Sequence, residues 1–438
     1  MSLISQSEYK SRRETLLAQL THADIAIIPG AHEILRAGDT PYYFRQQSDF
    51  YYLTGFNEPD AILVLIPGYG EGTTLLFNRP RDPVMEIWNG HRAGQEGATK
   101  EYGIDVAYPI ERFTEILPQL LTNRERVLYP IGGDPALDAQ VMAAVSLLRA
   151  KVRSGVVTPD TFQHIAPYIH DMRLRKSPAE VETMKKAAIA SMEAHKEAMA
   201  ICTPGRYEYE LEAALRFVFY RHGCRDVAYS PIVGSGKNTC ILHYTENNQS
   251  LCDGDLVLVD AGGEYECYAS DITRTYPVNG RFSTEQKAIY ELVLRAQMAA
   301  IALIKPGLPF VDLQETIRAV LTEGLLDLGL LKGERDKLIA SQAVNRFYMH
   351  NSGHWLGLDT HDAGTYKINQ RSRPLEAGFV LTVEPGLYIP ADSEGVDPCW
   401  WNIGVRIEDN ILVTPEGYYN LTGELIKTVS EIEQWMAR

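Results

Sequence analysis

Four carboxylates of this chain lie in, or at the ends of, runs that otherwise read as buried β-strand. Asp260 closes the apolar part of LVLVDAG (256–262), Asp271 lies in SDITRT (270–275), Glu384 follows LTV in LTVEPG (381–386) and Glu408 stands in VRIEDN (405–410). A fifth polar residue, His354, sits in NSGHWLGLDTHD (351–362), which also reads as a strand or strand end. A charged group in an apolar strand is costly unless it is paired or bound to a cation. Four carboxylates brought together repel one another, and two divalent cations bridged by carboxylates cancel that charge. A fold for this chain therefore has to converge these segments, and the set predicts a dinuclear metal hydrolase.

The local patterns refine this expectation. Between Asp260 and Asp271 stands AGGEYECYAS, a spacing that suits two adjacent antiparallel strands. Arg406 lies two residues before Glu408 on a strand of alternating character, so the two share a face. There Arg406 would orient an acidic ligand or stabilise developing charge, with a plain ion pair as the alternative. His350, His354 and His361 fall within twelve residues, beside glycines that allow close backbone approach. One imidazole among carboxylates suits manganese, cobalt or zinc, and the oxygen-rich shell favours Mn2+. Such a pair of ions lowers the pKa of a bridging water. A carboxylate at the rim can carry its proton to the leaving amine. A neutral imidazole off the metals, His243 or His361, can bind the substrate carbonyl and oxyanion. A free substrate amine suits the acidic cluster, which points to an aminopeptidase.

The remaining sequence reads as α/β (α+β), in two domains. In the first 170 or so residues DIAIIPG (24–30), FYYLTGF (50–56), AILVLIPG (61–68), TTLLFN (73–78) and RVLYPIGG (126–133) read as strands. ERFTEILPQLL (111–121) and DPALDAQVMAAVSLLRA (134–150) read as helices. Ser177, Pro178 and Glu180 supply an N-cap, a first-turn proline and a capping-box glutamate to a long helix. The boundary falls just before it, giving domains 1–174 and 175–438. The second domain repeats itself: TPGRYEYELEAAL (203–215) resembles KPGLPFVDLQETI (305–317), and GDLVLVDAG (254–262) resembles GFVLTVEPG (378–386). A histidine precedes each acidic strand end, His243 in one repeat and His361 in the other. Two facing halves would make Asp260 and Glu384 counterparts about a pseudo-two-fold axis.

A formal net charge of −15 argues against a nucleic-acid or anionic-membrane surface. The N-terminus, MSLISQSEYKSRRETLLAQL, reads as an amphipathic helix rather than a signal peptide. No apolar run approaches the roughly 20 residues of a membrane span. The six cysteines form no CxxC pair and read as reduced thiols, which predicts a cytoplasmic protein. GSGK (234–237) fits neither a Walker loop nor a dinucleotide fingerprint.

The ligand set and HNSGHWLGLDTHD (350–362) resemble the proline-peptidase branch of the pita-bread metallopeptidases, which includes methionine aminopeptidase, prolidase, aminopeptidase P and creatinase. RQQSDFYYLTGFNEPDAILVL (45–65) and EIWNGHRAG (86–94) are similar to the aminopeptidase P family in particular. The resemblance spans essentially the whole chain. It implies a creatinase-like N-terminal α/β domain, a C-terminal pita-bread catalytic domain, and peptides with proline at the second position as substrates. It implies two manganese ions at Asp260, Asp271, His354, Glu384 and Glu408, with Glu384 handling the proton and His243 and His361 binding substrate. It implies that His350, Arg406 and Tyr388 line the proline pocket, and that Asp39 and Arg153 reach the site. It also implies that Trp88 closes the site of a neighbouring subunit in a homotetramer. Asn351, Ser352 and Thr360 depart from the family signature. A prolidase restricted to dipeptides shares every ligand; a non-catalytic relative would lose ligands that this chain keeps.

Overall fold

The computed structural model describes residues 3–437. It divides into two compact units, Met1–Arg173 and Leu174–Arg438.

The first unit is built on a six-stranded sheet of β1 (Asp24–Pro29), β2 (Ile62–Leu65), β3 (Thr74–Asn78), β4 (Val106–Pro109), β5 (Arg126–Tyr129) and β6 (Thr161–His164), in the order β4-β3-β2-β1-β5-β6. Its helices include α1 (Gln6–Leu17), α2 (Ser48–Thr54), α3 (Pro83–Asn89), α4 (Phe113–Leu121) and α5 (Pro135–Arg149). Ile25, Ile27, Val64, Leu75 and Phe77 of the sheet pack with Leu117 and Leu120 of α4 and Val141 and Val145 of α5.

One expected strand is a helix. FYYLTGF falls mostly within α2, which the Gln47 side chain caps at the Phe50 N–H and Gly55 ends at φ +64. The deciding partners are distant. Arg12 donates to the carbonyl of Tyr52 at 3.1 Å and Arg13 to that of Leu53 at 2.8 Å. Two cations thus meet carbonyls at the C-terminal end of α2. Tertiary contact overrides the β preference of the aromatic run.

The second unit shows the repeat in its backbone. Helices α6 (Pro178–Ile201) and α7 (Glu208–Arg221) form one pair, α8 (Thr284–Leu303) and α9 (Val311–Asp327) the other. The capping box of Ser177 and Glu180 opens α6. The Pro-Gly turn between each pair places its glycine at φ +89, in Gly205 and again in Gly307. Gly205 donates to the carbonyl of Leu251 and Gly307 to that of Leu375, at 2.9 and 2.8 Å. Each acceptor lies three residues before the glycine that opens the matching strand run, Gly254 or Gly378.

The strands that follow lead to the acidic residues: Asp260 closes one of them, whereas Asp271, expected early in a strand, stands two residues before Thr273, where its strand begins, and Glu384 and Glu408 lie in breaks between strands. In the first half, β7 (Ile232–Ser235), β8 (Leu256–Asp260) and β11 (Thr273–Pro277) form an antiparallel sheet in the order β7-β8-β11. Asp260 faces Thr273 across it. A small hairpin of β9 (Gly263–Tyr265) and β10 (Tyr268–Ala269) separates the two strands in sequence. In the second half, β12 (Val380–Val383) pairs with β15 (Asp409–Thr414), and β13 (Gly386–Ile389) with β14 (Ile403–Arg406). Strand β15 also pairs with β16 (Gly417–Asn420).

Candidate metal centre

The two second-half pairings share one register. Val383 faces Asp409 and Gly386 faces Arg406, so the interruption between them sets Glu384 opposite Glu408. The sequence pattern puts Glu408 on a strand; in the structure it lies in the break Ile407–Glu408, where β14 gives way to β15. Glu384 lies in the matching break before β13. The Glu408 N–H donates to the carbonyl of Thr273 at 3.1 Å, joining this break to the first-half sheet.

His354 reaches the same place from a loop. NSGHWLGLDTHD, read from sequence as a strand or strand end, holds only an isolated bridge between Trp355 and Leu381. Its start nevertheless runs along β12: Thr382 donates to the carbonyl of His354 and Glu384 to that of Ser352, both at 2.9 Å. This approach requires Gly353, because a Cβ there would stand 2.1 Å from the carbonyl oxygen of Thr382. The signature departures have local partners. The Ser352 hydroxyl lies 2.6 Å from that of buried Tyr348, and Thr360 donates to the carbonyl of Ala228 at 3.3 Å. Asn351 lends its carbonyl to Nδ1 of His350 at 2.7 Å.

Asp271, His354 and Glu408 offer ligand atoms within 4.8 Å of one another. His354 Nε2 lies 3.3 Å from Asp271 and 3.6 Å from Glu384. Its Nδ1–H donates to the carbonyl of Trp355 at 2.9 Å, which leaves Nε2 to face the carboxylates. The Tyr229 hydroxyl lies 2.5 Å from Oδ1 of both Asp260 and Asp271. Thr273 donates to Glu408 Oε2 at 2.8 Å.

The electrostatics match a cation site. Burial and the neighbouring carboxylates raise Asp260 and push Glu408 well above the usual carboxylate range. Burial, with the charges of Asp271 and Asp260, raises Glu384 to about 7. Burial lowers His354, but Asp271 and Glu384 outweigh it and raise the imidazole to about 9. Burial also opposes the charge on Asp271, yet its bond to His354 leaves it lowered. Four carboxylates and an imidazole with one open nitrogen fit hard or borderline divalent ions.

Arg406 pairs across the site rather than along its own strand. Its Nη2 donates to Asp260 Oδ2 at 2.6 Å and its Nε to the Thr273 hydroxyl at 3.1 Å. Its Nη1 donates to the Tyr388 hydroxyl at 3.0 Å, and that oxygen stands 2.8 Å from Nε2 of His350. Burial and the charge of Arg406 lower His350 to about 4, so it is neutral; the Tyr388 hydroxyl then donates to Nε2. His361 packs edge-on against His354, ring centroids 4.4 Å apart. His243 lies close enough for its charge to lower both His350 and His361. His243 and His361 are both exposed.

Trp88, on α3, Asp39 and Arg153 belong to the first unit, where all three are exposed. Thr273 and Tyr229, both in contact with the acidic set, were not singled out from sequence. Thr273 stands two residues after Asp271, and strand alternation could have found it. Tyr229, in the irregular stretch AYSP (228–231), carries no such signal.

The model of metallopeptidase family M24 matches residues 182–415, and that of the aminopeptidase P N-terminal domain matches residues 9–129. The chain is 45% identical to an Xaa-Pro aminopeptidase of Escherichia coli (strain K12), over 100% of this chain and 99% of the relative. It is 36% identical to Xaa-Pro aminopeptidase 3 of Mus musculus, over 99% of this chain and 87% of the relative. The structure of the Pseudomonas aeruginosa aminopeptidase PepP superposes with a TM-score of 0.98 at 50% identity, covering 100% and 99% of the two chains. Zinc-substituted Escherichia coli aminopeptidase P in complex with product gives a TM-score of 0.96 at 45% identity, covering 99% and 98%.

Proposed function

Since the chain belongs to metallopeptidase family M24, we propose that it is a metal-dependent Xaa-Pro aminopeptidase. It removes the N-terminal residue of peptides whose second residue is proline. The observation that carries this reading is the meeting of Asp271, His354 and Glu408, within 4.8 Å, beside Asp260 and Glu384.

The five residues would hold two divalent ions, manganese by preference for an oxygen-rich shell. Bound there, such ions supply Lewis acidity and a lowered pKa for water. The remaining roles fall to the chain's own side chains. Glu384 takes the proton and returns it to the leaving proline nitrogen. His243 and His361 hydrogen-bond the substrate carbonyl and the charge that develops on it. His350, Tyr388 and Arg406, already joined in one hydrogen-bonded chain, line the pocket for the proline ring. Asp39 and Arg153 contribute to substrate binding.

The domains are taken as 1–174, creatinase-like, and 175–438, catalytic. We further propose a cytoplasmic homotetramer in which Trp88 closes a neighbour's site. Among the described residues no helix is long and apolar enough to cross a membrane.

The test is a panel of peptides of the Arg-Pro-Pro type and the matching Xaa-Pro dipeptides, with and without manganese. Release of the first residue from the longer peptides, dependent on metal, is expected. No release sinks the reading; cleavage of dipeptides alone makes the enzyme a prolidase.

A further inference from the structure

Glu208 opens α7 with a carboxylate that is 0% exposed. Its Oε1 accepts from the N–H of Ser235 at 2.7 Å, the Ser235 hydroxyl at 2.8 Å and Asn238 Nδ2 at 3.2 Å. Its Oε2 accepts from the Tyr244 hydroxyl and the N–H of Gln249, both at 2.9 Å. All five donors are neutral, and all come from residues 235–249, the segment around His243. A carboxylate has acceptor capacity for this whole set, whereas any other side chain would strand buried donors. The first turn of α7 adds its own favourable field.

The loop needs such an anchor. Ile241, His243, Thr245 and Glu246 are exposed, and only Tyr244 and Asn247 of this stretch are buried. Asn247 makes a second tie, donating to Glu212 Oε2 of the same helix at 2.7 Å and accepting from the Val233 N–H at 3.0 Å. The Tyr244 hydroxyl that meets Glu208 belongs to the residue directly after His243. Fixing that side chain fixes the backbone from which His243 projects.

We propose that Glu208 is a positioning residue for His243, holding its loop against α7 so that the imidazole meets the substrate carbonyl; this rests on the catalytic reading of His243. The experiment is a double-mutant cycle on the full-length, metal-loaded enzyme with a proline-second peptide: wild type, Glu208→Gln, His243→Ala and the combination. Glu208→Gln is expected to lose on the order of 10- to 100-fold in kcat while keeping its metal content. In the His243→Ala background the same change is expected to cost less than about twofold. The same factor in both backgrounds, or a Glu208→Gln enzyme at the wild-type rate, overturns the proposal and leaves the His243 reading standing. A His243→Ala enzyme at the wild-type rate overturns that reading, and the proposal with it. Should Glu208→Gln not fold, the cycle with Tyr244→Phe, which removes one hydroxyl and keeps the ring, decides by the same criteria.

Discussion

Arg406 holds its ion pair with Asp260, 146 residues away, at 2.6 Å. Its link to Glu408, two residues ahead, runs through the hydroxyl of Thr273, which accepts from Arg406 Nε and donates to Glu408. One guanidinium therefore ties an acidic residue of each half of the repeat into a single network.

The Thr273 hydroxyl is the joint of that network, and Thr273→Val removes it at nearly constant shape. Groups that orient metal ligands typically contribute 10–100-fold to affinity. A loss of that order in competition against a chelator is expected, together with a lower melting temperature of the chelated protein, because the buried Nε of Arg406 loses its acceptor. Undiminished affinity would show that Glu408 needs no such orientation.

Glu384→Ala should abolish turnover, because the proposed role of the side chain is both to bind metal and to carry the proton. General acid–base catalysis alone accounts for roughly 10²–10⁴-fold. Steady-state kinetics on a proline-second peptide checks this, and near-native kcat would refute the proton-handling role.

His361→Ala should lose most activity with its metal still bound. The ring lies against His354, centroids 4.4 Å apart, outside the acidic set itself. Elemental analysis of the purified variant separates the outcomes: metal-free protein would make His361 a ligand.

His195 predicts acid sensitivity of folding. It is fully buried on α6 and its Nε2 donates to the carbonyl of Ala261 at 2.9 Å. Burial lowers it to about 4. The folded imidazole stays neutral while the unfolded one protonates below about 6.5. Its contribution is therefore fully present above pH 6.5 and is lost as the pH falls toward 4, at about 1.4 kcal/mol per unit. Urea unfolding of wild type and His195→Gln at several pH values should give curves that converge as the pH drops. Parallel curves would refute the assignment.

Much of this architecture is legible along the chain. The apolar runs before Asp260 and Glu384, the capping box at Ser177 and the repeated Pro-Gly turns are local patterns. Their periodicity and caps are set by residues a few positions apart. The helix at FYYLTGF escaped that logic because Arg12 and Arg13, some forty positions away, supply its C-terminal partners. The loop at His354 escaped it too, since its extended start is defined by the edge of β12 and by the absence of a side chain at Gly353.

Local pattern pointed to the residues that could bear the chemistry, because acidic groups at the ends of apolar strand runs are costly without a cation to meet them. Long-range packing set which of them meet. Glu384 stands opposite Glu408 through a shared strand register, Arg406 reaches Asp260 and not its neighbour, and Tyr229 enters from an irregular stretch. Register and long-range packing depend on the geometry of segments far apart in the chain, and no local period encodes them.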